Sequence, residues 1–500
     1  MFSNIKNNLI KLFKNAQFFL FNNVSTRQTV AKNFFWLAIA DGVNKILKLI
    51  LFFYIARIFG ATEYGKFSFA LGFVGLFVII SDLTVSKIVT REFAKNQKNE
   101  EDFPSVLSLE TLLSFITLLV IFVVSFFVTV DSGVRYLIWL VGVYFIISIF
   151  PEIFYSFFRA RQKMEYQAWS NIVTSVVTTC SVLGVIFFVP SIVNLSLGYL
   201  FSATVSLLFV LLFFRYKVSK LKMTFDFSIW KKYLSISWPL VLAGLVQSFF
   251  SNFDLTYMGH LSQYTETGFY SAAQKVVSAV LIPVGFITIT FYPLLSKMWA
   301  ESKEALQEIF NYYFVLVLFL ALPILVGGLV LAKKIVYLVY GPVFDPSIVI
   351  FQWLLFSGIL AVVAIPCRNV IVVANKLKSN LLFNFIGALI NILINIFLIK
   401  KYSFYGAVAA NLLTNLFFLV TFFVAARKYS SLSLYNYKVG INLIFVLISS
   451  LLMYVIISLP TVYNLNVMLV ILVGFITYVF GYFFLKLLQI NLTKYFGTRI

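Results

Sequence analysis

Six of the charged side chains that stand inside long apolar stretches of this 500-residue chain suggest a site. Asp41, Lys45 and Lys48 lie in the first stretch, Asp254 in the seventh, Lys275 in the eighth and Arg368 in the tenth. Each costs about 2.5–3.5 kcal/mol to place at the centre of a lipid-embedded helix. Asp41, Lys45 and Lys48 are spaced i, i+4, i+7, so they share one helix face, which cannot look at lipid. Gln247, Ser251 and Asp254 repeat that spacing. Four cations against two anions make a net-positive set, which suits an anionic ligand such as a pyrophosphate or an acidic sugar. Lys45, Lys48, Lys275 and Arg368 are therefore the candidate substrate-binding residues. Asp254 and Asp41 are the candidate ion-coupling residues, because a carboxylate at membrane depth can hold and release a proton or sodium. Lys45 sits one turn from Asp41 and works against that role, so Asp254 is the stronger candidate. The plainer alternative makes Asp41–Lys45 and Asp254–Lys275 structural ion pairs. Asn384, Asn391 and Asn395 share one face of a later stretch, and Asn411 and Asn415 share one of the next; interhelical hydrogen bonding is their expected role.

The elements that must carry these residues are helices in a bilayer. Apolar residues make up 61% of the chain and charged residues only 11%. A soluble protein of this length cannot bury such a surface, whose apolar share normally stays near half. The expected fold class is an all-α polytopic membrane protein of about fourteen transmembrane helices. The spans read as 33–57, 67–89, 105–129, 135–158, 166–189, 193–214, 235–259, 268–295, 308–331, 347–373, 379–399, 403–426, 440–459 and 465–487. Residues 1–32 interleave Lys6, Lys11 and Lys14 with Ile5, Leu9, Leu12 and Phe13, which fits an amphipathic helix on a membrane face better than a signal peptide. Two cysteines and one histidine offer no disulfide framework, no metal cluster and no histidine-based triad. No cofactor is expected. Gly60 to Lys66 resembles the start of a phosphate loop, but Phe67 stands where Ser or Thr must hold magnesium. Asp-x-Asp does not occur, and the longest expected outer loop is 332–346, so a membrane polymerase or transferase is disfavoured. The net charge of +21 points to anionic lipid rather than nucleic acid.

With both termini cytoplasmic, 28 of the 39 Lys and Arg face the inside and 7 the outside, the asymmetry that sets membrane orientation. Thr62-Glu63-Tyr64-Gly65 followed by Ser68 and Ala70 recurs as Thr265-Glu266-Thr267-Gly268 followed by Ser271 and Ala273, at a constant offset of 203. A fainter echo links Gln162-Lys163-Met164 to Asn375-Lys376-Leu377. Two six-span halves of equal orientation make a parallel repeat, an architecture of secondary transporters. The expected organisation is an N-terminal segment 1–32, a six-helix lobe 33–214, a cytoplasmic linker 215–234, a second six-helix lobe 235–427, and two further helices with a tail over 428–500.

The run Ala56-Arg57-Ile58-Phe59-Gly60-Ala61-Thr62-Glu63-Tyr64-Gly65-Lys66-Phe67, then Ser81-Asp82-Leu83, then Arg161-Gln162-Lys163-Met164, resembles the polysaccharide transporter family. That family comprises lipid-linked oligosaccharide flippases of the multidrug/oligosaccharidyl-lipid/polysaccharide exporter superfamily. The resemblance implies a V-shaped pair of lobes opening alternately to each side. It implies an undecaprenyl-pyrophosphate-linked oligosaccharide as substrate, moved to the outer leaflet of a bacterial cytoplasmic membrane. It implies membrane lipid and a coupling proton or sodium as partners, and polysaccharide polymerase and glycosyltransferases as neighbours. The family's cationic cavity residues map onto Lys45, Lys48, Lys275 and Arg368. Lysines in the first span, where peptidoglycan-precursor flippases carry arginines, disfavour that branch. A cation-coupled multidrug exporter of the same superfamily is the alternative, and the cation surplus argues against it.

Overall fold

The computed structural model describes residues 26–217, 222–430 and 437–496; the amphipathic segment expected over 1–32 falls largely outside them. Among the described residues every regular element is helical, and twelve helices are long and apolar enough to cross a membrane, or thirteen if a bent pair is one span. One of the twelve runs over Gly42–Lys95, 54 residues. A straight helix of that length would measure about 80 Å, against a hydrocarbon core of about 30 Å. Its first helix, α1 (Thr26–Asp82), turns at Gly60, where φ is 73° and ψ 175°, a conformation open to glycine and strained for other residues. Read as two crossings, it brings the total to about fourteen.

The chain forms two compact units. The first holds residues up to Phe59 together with Ala70–Ser248; the second holds Gly60–Phe69 and everything from Phe249 onward. In the first unit, α2 (Val85–Lys95), α3 (Phe103–Val128), α4 (Ser132–Ile149), α5 (Pro151–Ala160), α6 (Met164–Phe188) and α7 (Ile192–Lys217) follow α1. Phe93, Phe103, Phe154, Phe157, Phe158 and Phe214 form an aromatic core, with Phe103 and Phe157 centroids 5.3 Å apart in an edge contact. Lipid offers no hydrophobic drive between helices, so polar side chains fasten them. Thr178 donates to Ser202 at 3.1 Å and Thr174 meets Ser206, a ladder between α6 and α7. Lys32 and Glu165 form a buried ion pair at 3.0 Å, and Glu152 pairs with Arg159 at 2.6 Å. α8 (Phe227–His260) starts at Asp226, whose carboxylate accepts from the Ser228 hydroxyl and the Ser228 and Ile229 amides. Those bonds hold its pKa below the ordinary carboxylate value.

The second unit contains α9 (Tyr264–Val280), α10 (Ile282–Glu301), α11 (Lys303–Tyr340), α12 (Ser347–Val373), α13 (Leu377–Tyr402) and α14 (Phe404–Ser430). The pair α15 (Tyr437–Ser458) and α17 (Val467–Phe496), joined by the single turn α16 (Pro460–Tyr463), packs on α11. Lys334 of α11 donates to the carbonyls of Tyr463 and Leu465, fixing that connection.

The structure departs from the expected spans at the breaks. Span 67–89 ends at Asp82 and resumes at Val85, with left-handed Leu83 and Thr84 between. Span 268–295 bends by 49° at Leu281, just before Pro283. The connections expected at 58–66 and 259–267 are shorter, because the repeated Thr-Glu-x-Gly lies inside helices that begin at Ala61 and Tyr264. The fainter echo also has a structural cause. Gln162 and Asn375 both take φ near 57°, and Lys163 and Lys376 donate back to the Phe158 and Ile371 carbonyls at 2.9 and 3.1 Å, the same helix-ending motif.

Within the second unit the two copies of Thr-Glu-x-Gly face each other. The Thr62 and Thr265 hydroxyls meet at 2.8 Å. A Cβ on Gly65 would run into the Tyr264 carbonyl, and one on Gly268 into the Ala61 carbonyl. Tyr264 is Ala61 shifted by 203 and Gly268 is Gly65 shifted by 203, so the contact is reciprocal, as across a two-fold axis. Gly65→Ala or Gly268→Ala should lower the stability of the purified protein by about 1–3 kcal/mol through overpacking. Gly42→Ala and Gly285→Ala, which meet nothing within 4 Å, should leave it unchanged or higher. Thermal unfolding in detergent measures both.

Candidate functional site

Asp254, in the last two turns of α8, is 2% exposed. A carboxylate buried there needs donors from the protein, and three neighbouring helices supply them. Tyr270 of α9 donates its hydroxyl to Oδ2 at 2.6 Å. Asn411 of α14 donates to the same oxygen at 2.6 Å, and Asn395 of α13 donates to Oδ1 at 2.6 Å. Asn411 also donates to the Tyr270 hydroxyl at 2.9 Å, and Asn395 to Asn391 Oδ1 at 2.9 Å. Asn391 reaches Thr414 at 3.5 Å, and Asn415 reaches Ser357 at 2.9 Å. Asn391, Asn395, Asn411 and Asn415 thus make the expected interhelical hydrogen bonds, whereas Asn384 donates to the Asn380 carbonyl of its own helix at 2.7 Å. Within this cluster Asn395 Oδ1 is buried and has no hydrogen-bond partner among the described residues. The arrangement gathers a carboxylate, an uncommitted amide oxygen and neutral donors, with no cation among the carboxylate's partners. It can hold a small cation or exchange a proton.

The alternative pair Asp254–Lys275 is not formed among the described residues, where the carboxylate's partners are Tyr270, Asn395 and Asn411. Lys275 lies half-buried on α9 and Arg368 half-buried on α12. No carboxylate comes within ion-pair distance of Arg368 among the described residues. In the first unit Lys45 and Lys48 are exposed on α1, beside exposed Ile46 and Ile50. Asp41 falls on the same helix; its side chain lies outside the described set. Each unit therefore carries two of the four candidate cations, and the second carries the assembled carboxylate.

The sequence reading passed over Glu110 in α3, which is fully buried with both carboxylate oxygens unpartnered among the described residues. Its signal was plain, a carboxylate well inside span 105–129. Tyr270 was missed for a different reason: no spacing rule ties a tyrosine on one helix to an aspartate on another.

Tyr270→Phe removes one of three donors to the buried carboxylate and should cost about 1.5–3 kcal/mol. Tyr257→Phe, whose hydroxyl reaches the Ile396 carbonyl at a long 3.4 Å, should be nearly neutral. Paired thermal melts of the two variants measure the difference.

The chain matches the model of the family described as polysaccharide biosynthesis protein over residues 30–299. It matches that of the family described as MatE over 239–397. An "uncharacterized membrane protein in cps region" of Klebsiella pneumoniae is 30% identical over 104 residues, and the match spans about a fifth of that relative's length (21%). Among solved structures, the lipid II flippase MurJ in an inward closed conformation superposes with a TM-score of 0.72, covering 91% of this chain and 98% of that one at 15% identity. An inward-facing multidrug resistance MATE family transporter of the MOP superfamily gives 0.63, covering 78% and 96% at 12% identity. At such identities these two structures establish a shared fold.

Proposed function

The chain belongs to the polysaccharide biosynthesis protein family, among membrane transporters of the MOP superfamily and not among enzymes, and on that premise we propose that it is a flippase. It moves an oligosaccharide repeat carried on undecaprenyl pyrophosphate from the inner to the outer leaflet of a bacterial cytoplasmic membrane. It does so by alternating access, with both termini cytoplasmic, and it serves the synthesis of a capsule, O-antigen or similar polysaccharide.

The family match over 30–299 carries this reading. The lipid II flippase among its structural neighbours, and the cps-region relative, support the lipid-linked substrate and its pathway. The chemistry agrees. A pyrophosphate linkage brings concentrated negative charge, and Lys45, Lys48, Lys275 and Arg368 supply cations that engage phosphate oxygens through charge-assisted hydrogen bonds. Asp254, with Asn391, Asn395 and Asn411, is the ion-coupling site, taking a proton or sodium in exchange for the substrate's passage; Asp41 is the second candidate. The chain works with the glycosyltransferases that build the repeat and the polymerase that consumes it. The MatE match over 239–397 favours a second reading, a cation-coupled multidrug exporter. A cationic drug would be repelled by the same four residues.

The Lys45→Ala/Lys48→Ala variant tests the assignment. Each charged hydrogen bond lost to phosphate is worth about 1.5–3 kcal/mol, so surface polysaccharide should fall about tenfold or more, while the purified variant melts as the parent does. Normal surface polysaccharide from the double variant would place substrate binding elsewhere.

A further inference from the structure

Glu110 is a buried carboxylate without a hydrogen-bond partner among the described residues. It lies about two turns into α3, 0% exposed, with neither carboxylate oxygen hydrogen-bonded. Its face of α3 is shared by buried Val106, Leu107, Leu113 and Ser114, and that face joins the apolar cluster of α2, α5 and α7. The charged groups on the surrounding elements are committed elsewhere. Glu92 holds Arg91 and Lys95, Asp102 holds Lys232 and Tyr233, Glu165 holds Lys32, and Arg135 of α4 donates to the Thr129 carbonyl. Lys87 and Arg91 are exposed. Among the described residues two carboxylates, Asp82 and Glu152, lie near enough for their charge to bear on Glu110. Asp82 accepts from the Ser86 amide and hydroxyl at 2.9 and 2.8 Å, and Glu152 is tied to Arg159 at 2.6 Å.

An isolated ionised carboxylate cannot be buried in such a place without a large desolvation cost, and two neighbouring carboxylates raise that cost. Something must neutralise it. A metal cation needs several oxygen ligands, and among the described residues no three acidic, histidine or cysteine side chains come close enough to hold one. A proton needs a single oxygen.

We propose that Glu110 is a proton-binding site, loaded in the conformation seen here and emptied when the helices around it rearrange. Asp82 and Glu152 then act as the negative fields that recapture the proton, and Arg159 limits how strongly Glu152 does so. The first unit thus carries a proton site in an apolar setting, while the second carries the polar cluster of Asp254. The link to transport rests on the flippase reading; the proton site itself does not.

The experiment has two arms. The full-length protein is treated in detergent with dicyclohexylcarbodiimide, an apolar reagent that adds to protonated carboxyls, across acidic to alkaline pH, and adducts are located by mass spectrometry. Glu110 should be labelled at acidic pH and lose that labelling as pH rises. A Glu110 that is unlabelled throughout, or labelled equally at every pH, overturns the proposal. This arm uses the wild-type chain and does not depend on any variant folding. In the second arm, wild type and Glu110→Gln are reconstituted in phosphatidylethanolamine/phosphatidylglycerol vesicles with a fluorescent undecaprenyl-pyrophosphate-linked sugar. Glu110→Gln should keep flipping without a gradient and lose its stimulation by an imposed pH gradient. Full stimulation in Glu110→Gln overturns the coupling role. Wild-type protein that labels as expected yet moves no lipid sustains the proton site and removes the flippase reading.

Discussion

Hydrocarbon provides no water, so each polar group placed in a span must find its partner inside the protein. The structure follows from that constraint. Asp254 draws donors from three other helices, and in doing so ties α8, α9, α13 and α14 to one point. The Thr and Ser ladder between α6 and α7 and the buried Lys32–Glu165 pair obey the same rule. Each helix end before Met164, Tyr264 and Leu377 folds its carbonyls back onto the chain through a left-handed residue. Asn395 Oδ1 and both Glu110 oxygens are among the buried atoms that find no partner among the described residues.

The internal repeat is a physical contact as well as a likeness. Ala61–Phe69 and the start of α9 approach until the Gly65 and Gly268 backbones leave no room for a side chain, and Tyr64, fully buried, stacks edge-on against Phe344. Membrane helices commonly associate through small residues in this way. The motif that marks the repeat in sequence is thus also a point where its own two occurrences touch, within the second unit.

Much of this was legible in the residues. Long apolar runs announce spans because a bilayer has fixed thickness, and the helical count and class followed from them. The offset of 203 revealed the repeat. The break points were harder. Gly60, Leu83–Thr84 and Leu281 interrupt helices within one to two residues, too short to disturb an apolar average. The site was half legible. The spacing of Asn391, Asn395 and Asn411 gave their faces, and the depth of Asp254 gave its importance, but their convergence depends on packing between helices that lie far apart in sequence. Charge alone offered Lys275 as an alternative partner for Asp254, whereas the fold satisfies the carboxylate with neutral donors. Glu110 was visible as a lone carboxylate in span 105–129, and only its burial without partners distinguishes it from the solvated carboxylates nearby.

The central claim is that this chain transfers a pyrophosphate-linked lipid between leaflets. The direct measurement is leaflet exchange in vesicles holding the purified protein. A fluorescent undecaprenyl-pyrophosphate oligosaccharide is followed by its accessibility to an impermeant quencher, beside the same oligosaccharide on an uncharged isoprenoid. The account predicts exchange well above protein-free vesicles for the pyrophosphate lipid, and little for the uncharged one. Exchange no faster than in empty vesicles, or equal for both lipids, would contradict it.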